Sequence, residues 1–203
     1  MTDARNELKA LLGTDDVDIE KVCQTLNDFD SHTRIDAIRC LGKKAQVRLW
    51  NAAEGHATSL SDVVPTDVEA RIEIIHSGKN SLPVFTKFEK RFCRVASDDS
   101  ILYGYNEGPT RKFVGPGYFV TSFDAERGEV GINYYTTPPE DADLPEQWPA
   151  VRSNERGLSR FVYAKMIDYL RKVSDHVTIG RAVRKGKTTN NYFLLCRNPA
   201  EKS

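Results

Sequence analysis

The stretch Ile101–Thr137, ILYGYNEGPTRKFVGPGYFVTSFDAERGEVGINYYTT, constrains this chain more than any other. Segments 101–105, 117–123 and 129–136 are short, rich in aromatic and β-branched residues, and bounded by turn formers, as antiparallel strands are. Asp124–Gly128 has the length of a hairpin loop, with glycine where a left-handed residue is commonly needed. An antiparallel meander is the structure this pattern predicts.

The rest of the chain is read outward from that meander. Val177–Arg184 and Asn191–Arg197 read as a closing pair of strands, and Tyr192 to Leu195 are apolar on both faces. Between meander and hairpin, Leu158, Phe161, Val162, Met166, Tyr169, Leu170 and Val173 recur at helical spacing, so an amphipathic helix is expected over 155–173. Upstream, segments 68–76 and 82–91 each fit either period, and both are read as helix. The first has a capping-box start at Thr66–Glu69; the second would, as a strand, put basic and aromatic residues on one face. Residues 1–55 show short amphipathic helices, with apolar residues three and four apart and stops near Gly13 and Gly42.

The expected fold class is therefore α+β: an antiparallel sheet of five or six strands (meander 93–136 plus C-terminal hairpin 177–197), crossed by helix 155–173, with a helical N-terminal part. A helical subdomain at 1–55 and an α+β domain at 66–203 are expected, joined by the small and polar residues of 55–65. The chain of 203 residues is long enough for one full core with an appendage. The start MTDARNELKA lacks the features of a signal peptide and no apolar run approaches membrane-spanning length, so a cytoplasmic protein with no membrane partner is expected. Cys23, Cys40, Cys93 and Cys196 are scattered, as reduced structural thiols are.

Motifs with a known chemistry are weak. His76–Ser81 holds Gly-Lys near a hydroxyl but lacks the earlier glycine and strand of a phosphate loop. The four histidines show no metal-ligand spacing, and no cofactor or metal is expected. Three function classes follow from the residues that remain. The first is a small-molecule binding module. Its candidate residues are Tyr103, Tyr105, Tyr118 and Tyr134, with Gly115 and Gly117 leaving bare backbone beside them and Arg111 and Lys112 orienting a polar or acidic end of the ligand. The second is suggested by charge: residues 151–203 carry 12 Lys and Arg against 4 Asp and Glu, while 1–70 carry 8 against 13. Lys79, Arg181, Arg184, Lys185 and Lys187 are its candidates for a nucleic acid or other anion. The third is an enzyme without a familiar motif, drawing on Lys79, His76 and Arg91.

Overall fold

A computed structural model describes residues 2–84 and 86–199. Eight antiparallel strands run in chain order around a closed barrel: β1 Ile74–Asn80, β2 Lys87–Val95, β3 Asp98–Glu107, β4 Phe119–Asp124, β5 Glu129–Asn133, β6 Met166–Lys172, β7 Val177–Arg184 and β8 Lys187–Arg197. β1 closes on β8 with Ser77 opposite Cys196 and Lys79 opposite Leu194. Closure leaves no unpaired edge.

This overturns the expected open sheet of five or six strands. All three segments read as helix supply barrel strands instead. β1 takes the end of 68–76, β2 takes the end of 82–91, and β6 lies inside 155–173. Phe85, part of the apolar stripe in 82–91, lies outside the described residues. In 155–173 the only helix is the single turn Ser159–Val162, and Lys165, with φ 60°, redirects the chain into β6. The helical spacing was a coincidence of two unrelated patterns. Leu158, Phe161 and Val162 are exposed, whereas Met166, Asp168 and Leu170 point inward at the period of two that a strand imposes.

The N-terminal layer is built from α1 Thr2–Leu11, α2 Ile19–Asp28, α3 Ser31–Arg39 and α4 Lys43–Ala52. Asp18 and Asp30 accept the backbone N–H groups of Lys21 and Thr33 and so fix the starts of α2 and α3. Leu8, Val22, Leu26, Ile38, Leu41, Leu49 and Trp50 form one apolar cluster with Val177, Ile179, Tyr192, Leu194 and Cys196. The outer face of β7 and β8 is therefore covered by helix, which explains the apolar run in β8. Arg171 ties the two layers together: it pairs with Glu129 at 2.7 Å, donates to Trp50 O and lies 4.0 Å from the Trp50 ring. Among the described residues, no helix is long and apolar enough to cross a membrane.

An eight-stranded barrel has an interior that side chains can just fill, or that can hold one small ligand. Here the lower interior is filled by Ile74, Phe92, Leu102, Phe119, Val130, Ile132, Leu170 and Leu195. Three phenylalanines fit because each faces a glycine on the neighbouring strand: Phe88 opposite Gly78, Phe119 opposite Gly104, Phe193 opposite Gly180. A methyl group at those glycines would stand 2.6, 2.3 and 2.1 Å from the opposing ring. The lower end is plugged by the short helix α5, Leu60–Val63, whose Leu60 and Val63 pack into the interior with Val64. Lys172 pairs with Asp62 at 2.9 Å and Arg197 donates to Asp62 O, so the plug is fastened by charge as well.

Candidate functional site at the barrel mouth

The upper end is open. There the ends of β1, β3, β5 and β7 and the starts of β2, β4, β6 and β8 surround a cavity of about 490 Å³. Its walls include Phe88, Val114, Tyr163, Met166, Ala182 and Phe193, and its rim includes Leu82, Val84, Phe161 and Val162. The rim side chains are exposed although large and apolar.

The cavity's inner wall is polar and buried. Lys90 on β2, Asn106 on β3, Tyr134 just beyond β5 and Asp168 on β6 are all buried and all line it. They come from four strands, but each stands at an inward position, so the barrel brings them to one level. Lys90 Nζ donates to Asn106 Oδ1 at 2.9 Å, to Asp168 Oδ2 at 3.2 Å and to the Tyr134 hydroxyl oxygen. Three acceptors match the three N–H bonds of an ammonium group. Asn106 is itself held by its Nδ2, which donates to Gly117 O at 2.9 Å. Gly117 has φ 55°, and a Cβ there would stand 2.5 Å from the Tyr163 ring, which stacks on Tyr134 at 5.5 Å. Glycine at 117 therefore lets the turn, the asparagine and both tyrosine rings occupy one small volume.

Around the ammonium stand four rings, Phe88, Phe119, Tyr134 and Phe193, with centroids 5.0 to 5.6 Å from Nζ. The three phenylalanine rings offer cation–π attraction but exclude water, and the Tyr134 ring presents its hydroxyl to the nitrogen. That exclusion sets the protonation chemistry. Burial pushes the Lys90 amine down and the Asp168 carboxyl up, each toward its neutral form, while their mutual attraction opposes both shifts. Burial also holds the Tyr134 phenol well above its ordinary range, so it keeps its proton. Asp168 Oδ2 takes the contacts to Lys90 and Tyr134, and Oδ1 makes no hydrogen bond to any described residue.

The residues singled out from sequence separate into groups. Tyr134 and Arg111 line the cavity, and Arg111 is paired with Glu107 at 2.8 Å on the rim. Gly117 supports the polar wall, as described. Tyr105 and Tyr118 point away from the interior and pack with Trp148, at 5.0 and 6.2 Å between ring centroids, while Tyr103 lies against the same cluster. That cluster fastens the proline-rich segment 138–149: the Tyr118 hydroxyl donates to Pro149 O and the Trp148 indole donates to Glu73. Lys112 is exposed, and Gly115, with φ 91°, ends the turn helix Arg111–Val114.

The basic candidates are spread around the upper half. Lys79 lies on the outside of β1 between Lys87 and Leu194. Arg181 lies over the Tyr192 ring, and Arg184 donates to Phe161 O at the rim. Lys185 and Gly186, both with positive φ, form the two-residue turn to Lys187. Of the residues considered for catalysis, His76 sits at the plugged end with Nε2 2.9 Å from Val63 O, and Arg91 pairs outside the barrel with Glu73 and Glu89. These do not meet Lys79. Among the described residues, no cluster of three or more His, Cys, Asp or Glu side chains is placed to hold a metal ion.

Sequence reasoning missed Lys90, Asn106 and Asp168. The signal was present as Phe88-x-Lys90-x-Phe92 and Met166-x-Asp168-x-Leu170, a charge on the apolar face of an alternating segment.

No protein-family model matches the chain, and no curated protein or solved structure matches it. The functional reading therefore rests on the barrel's own residues.

Proposed function

We propose that the protein is a small-molecule binding protein that takes an apolar ligand with a polar end into the mouth of its barrel. The observation that carries this reading is the cavity itself: apolar walls of about 490 Å³ converge on a buried polar wall made of Lys90, Asn106, Tyr134 and Asp168. Concave, largely apolar sites with a few convergent polar groups are the usual form of a ligand pocket. A barrel with no such role is filled with side chains to its end, as this one is below the level of Phe92. The apolar rim offers a ligand a path that leaves it partly out of water throughout entrance.

The test is binding of 1-anilinonaphthalene-8-sulfonate, an apolar fluorophore with one polar end, together with native mass spectrometry of protein purified from its own host. Fluorescence enhancement is expected in the wild type and should vanish in Ala182→Phe, which places a ring in the cavity. A ligand at 100 times its Kd stabilises a fold by about 2.7 kcal/mol, readily seen as a thermal shift. Equal fluorescence in Ala182→Phe would place the dye elsewhere and remove the support for this site.

A further inference from the structure

The binding reading leaves one feature without a purpose. A wall that only fixes a polar end needs a donor or an acceptor, and an asparagine or a tyrosine supplies either. A buried ammonium–carboxylate pair is a costly way to do it, because desolvation of two ions commonly outweighs their attraction and an apolar pair of the same volume is often more stable. Ion pairs retained in clefts in spite of that cost are candidates for chemistry.

Three properties of Lys90 are those of an amine that reacts with carbonyl groups. It is buried at the inner end of an apolar cavity that opens to solvent, so a ligand's leading atom arrives at Nζ. It has a carboxyl group 3.2 Å away and a phenol in contact, both within reach of a proton leaving or joining the reacting atoms. Three phenylalanine rings surround the nitrogen, and they stabilise a cation there. Desolvation of a lysine in an apolar pocket is one of the established ways to raise the neutral, nucleophilic fraction of its amine.

We propose that Lys90 is a nucleophile that captures an apolar aldehyde or ketone in the barrel mouth as an imine. The proposal rests on the binding reading above and adds a covalent step to it. In that step the Lys90 ammonium first passes a proton to Asp168. The neutral amine attacks the carbonyl carbon; a C–N bond forms, and the carbonyl π pair moves to oxygen, which takes the proton from Asp168. The Asp168 carboxylate then removes one proton from nitrogen and returns it to the hydroxyl group. Water leaves as the nitrogen lone pair forms the C=N bond. The product is a protonated imine with Asp168 ionised beside it, and no oxidant or reductant takes part. Tyr134, hydrogen-bonded to both Lys90 and Asp168, holds the carbonyl oxygen by donation, and Asn106 keeps the amine aimed into the cavity. The reverse reaction with water releases the carbonyl compound unchanged.

The probe is 4-(dimethylamino)cinnamaldehyde, whose absorption moves to longer wavelength in a protonated imine, with the corresponding alcohol as its unreactive counterpart. Full-length protein is incubated with the aldehyde and sodium cyanoborohydride, and the adduct is located by peptide mapping. A single addition equal to the aldehyde minus one oxygen, on Lys90, is expected, together with the red-shifted band before reduction. Lys87, which also lines the cavity but is exposed, is the internal control. Mapping localises the adduct in the wild type, so the result does not depend on a variant that folds. Lys90→Arg should abolish the band, and Tyr134→Phe should slow its appearance by about tenfold. If the alcohol raises the melting temperature and Lys90 is not labelled, or labelling falls on Lys87 and surface lysines alone, imine capture is overturned and the binding reading stands. If neither compound shifts the melting temperature and Lys90 is unlabelled, imine capture is overturned, and the binding reading then depends on the fluorophore experiment.

Discussion

At the plugged end of the barrel, His76 lies against Phe92 at 5.1 Å and donates its Nε2–H to Val63 O. At the open end, Lys90 lies among four rings, facing a cavity, with a carboxylate, a phenol and an amide around its nitrogen. Both are buried ionisable side chains on inward positions of adjacent strands. Burial lowers the His76 pKa to about 4, and the nearby Arg197 guanidinium adds to the effect, so the ring is neutral at physiological pH and behaves as a shaped apolar plug with one hydrogen bond. Lys90 instead keeps an ion-pair partner, Asp168, at 3.2 Å. One end dispenses with the charge; the other preserves it at a cost. On the proposed reading, that difference separates the end of the barrel that serves the fold from the end that binds a ligand.

The strongest way to break the comparison is to remove one member of the pair. Lys90→Met or Asp168→Leu alone leaves an uncompensated buried group and should lose about 3–5 kcal/mol in urea denaturation. The double variant should recover most of that loss. Additive losses would mean that packing, rather than charge, gives these residues their weight at the mouth.

Acidification tests the other end. The folded protein holds His76 neutral down to about pH 4, whereas the unfolded chain protonates it near 6.5, so acid favours the unfolded state. The stabilising contribution is complete above pH 6.5 and is lost progressively as the pH falls from about 6.5 to about 4. At 1.36 kcal/mol per pKa unit the loss is about 3 kcal/mol. His76→Gln, which retains a donor toward Val63 O, should show a correspondingly smaller drop between pH 7 and pH 4. Identical pH profiles for the two proteins would show that His76 is not the group that senses acid.

A smaller effect distinguishes depth within the barrel. A methyl group at Gly104 would meet both the Phe119 ring at 2.3 Å and the backbone oxygen of Arg91 at 2.5 Å, and the backbone cannot yield. Gly104→Ala should cost about 1–3 kcal/mol, as overpacking does. At Gly78 the obstacle is only the far end of the Phe88 ring, which borders the cavity and has room to swing. Gly78→Ala should therefore cost less than Gly104→Ala, and calorimetry of the two variants orders them. The reverse order would show that the mouth is packed as tightly as the base.

These two ends also differ in how far the sequence revealed them. The N-terminal helices and the strands 129–133 and 177–184 were legible, because capping aspartates and alternating β-branched residues act locally. The barrel was not. Its closure depends on β1, β2 and β6, whose inward faces mix Phe, Met and Leu with a lysine, an aspartate and glycine, and a mixed face imitates the spacing of a helix. The rule that set aside a strand at 82–91, that basic and aromatic residues should not share a face, failed at the one place where a lysine was to be enclosed by rings. Of the four meander tyrosines singled out from sequence, Tyr134 alone lines the cavity. Its partners were not singled out, since a single Lys, Asn or Asp in an apolar segment gains meaning only when four strands set the residues side by side.

The smallest expected effect on stability concerns the rim, and it sharpens the comparison by separating what is exposed from what is used. Phe113 and Phe161 are 78% and 63% exposed, and replacing either by serine should change stability by no more than about 0.5 kcal/mol. Their effects on binding should differ. Phe161 borders the cavity and its ring is lost to an apolar ligand in Phe161→Ser, so affinity for 1-anilinonaphthalene-8-sulfonate should fall by about tenfold, equivalent to about 1.4 kcal/mol. Phe113 is in the turn helix above Gly115 and does not line the cavity, so Phe113→Ser should leave affinity unchanged. Fluorescence titration of the three proteins decides it. Equal losses would mean that the fluorophore spreads over the apolar rim instead of entering the barrel, and the contrast between a serviceable mouth and an inert plug would then be one of surface rather than of interior.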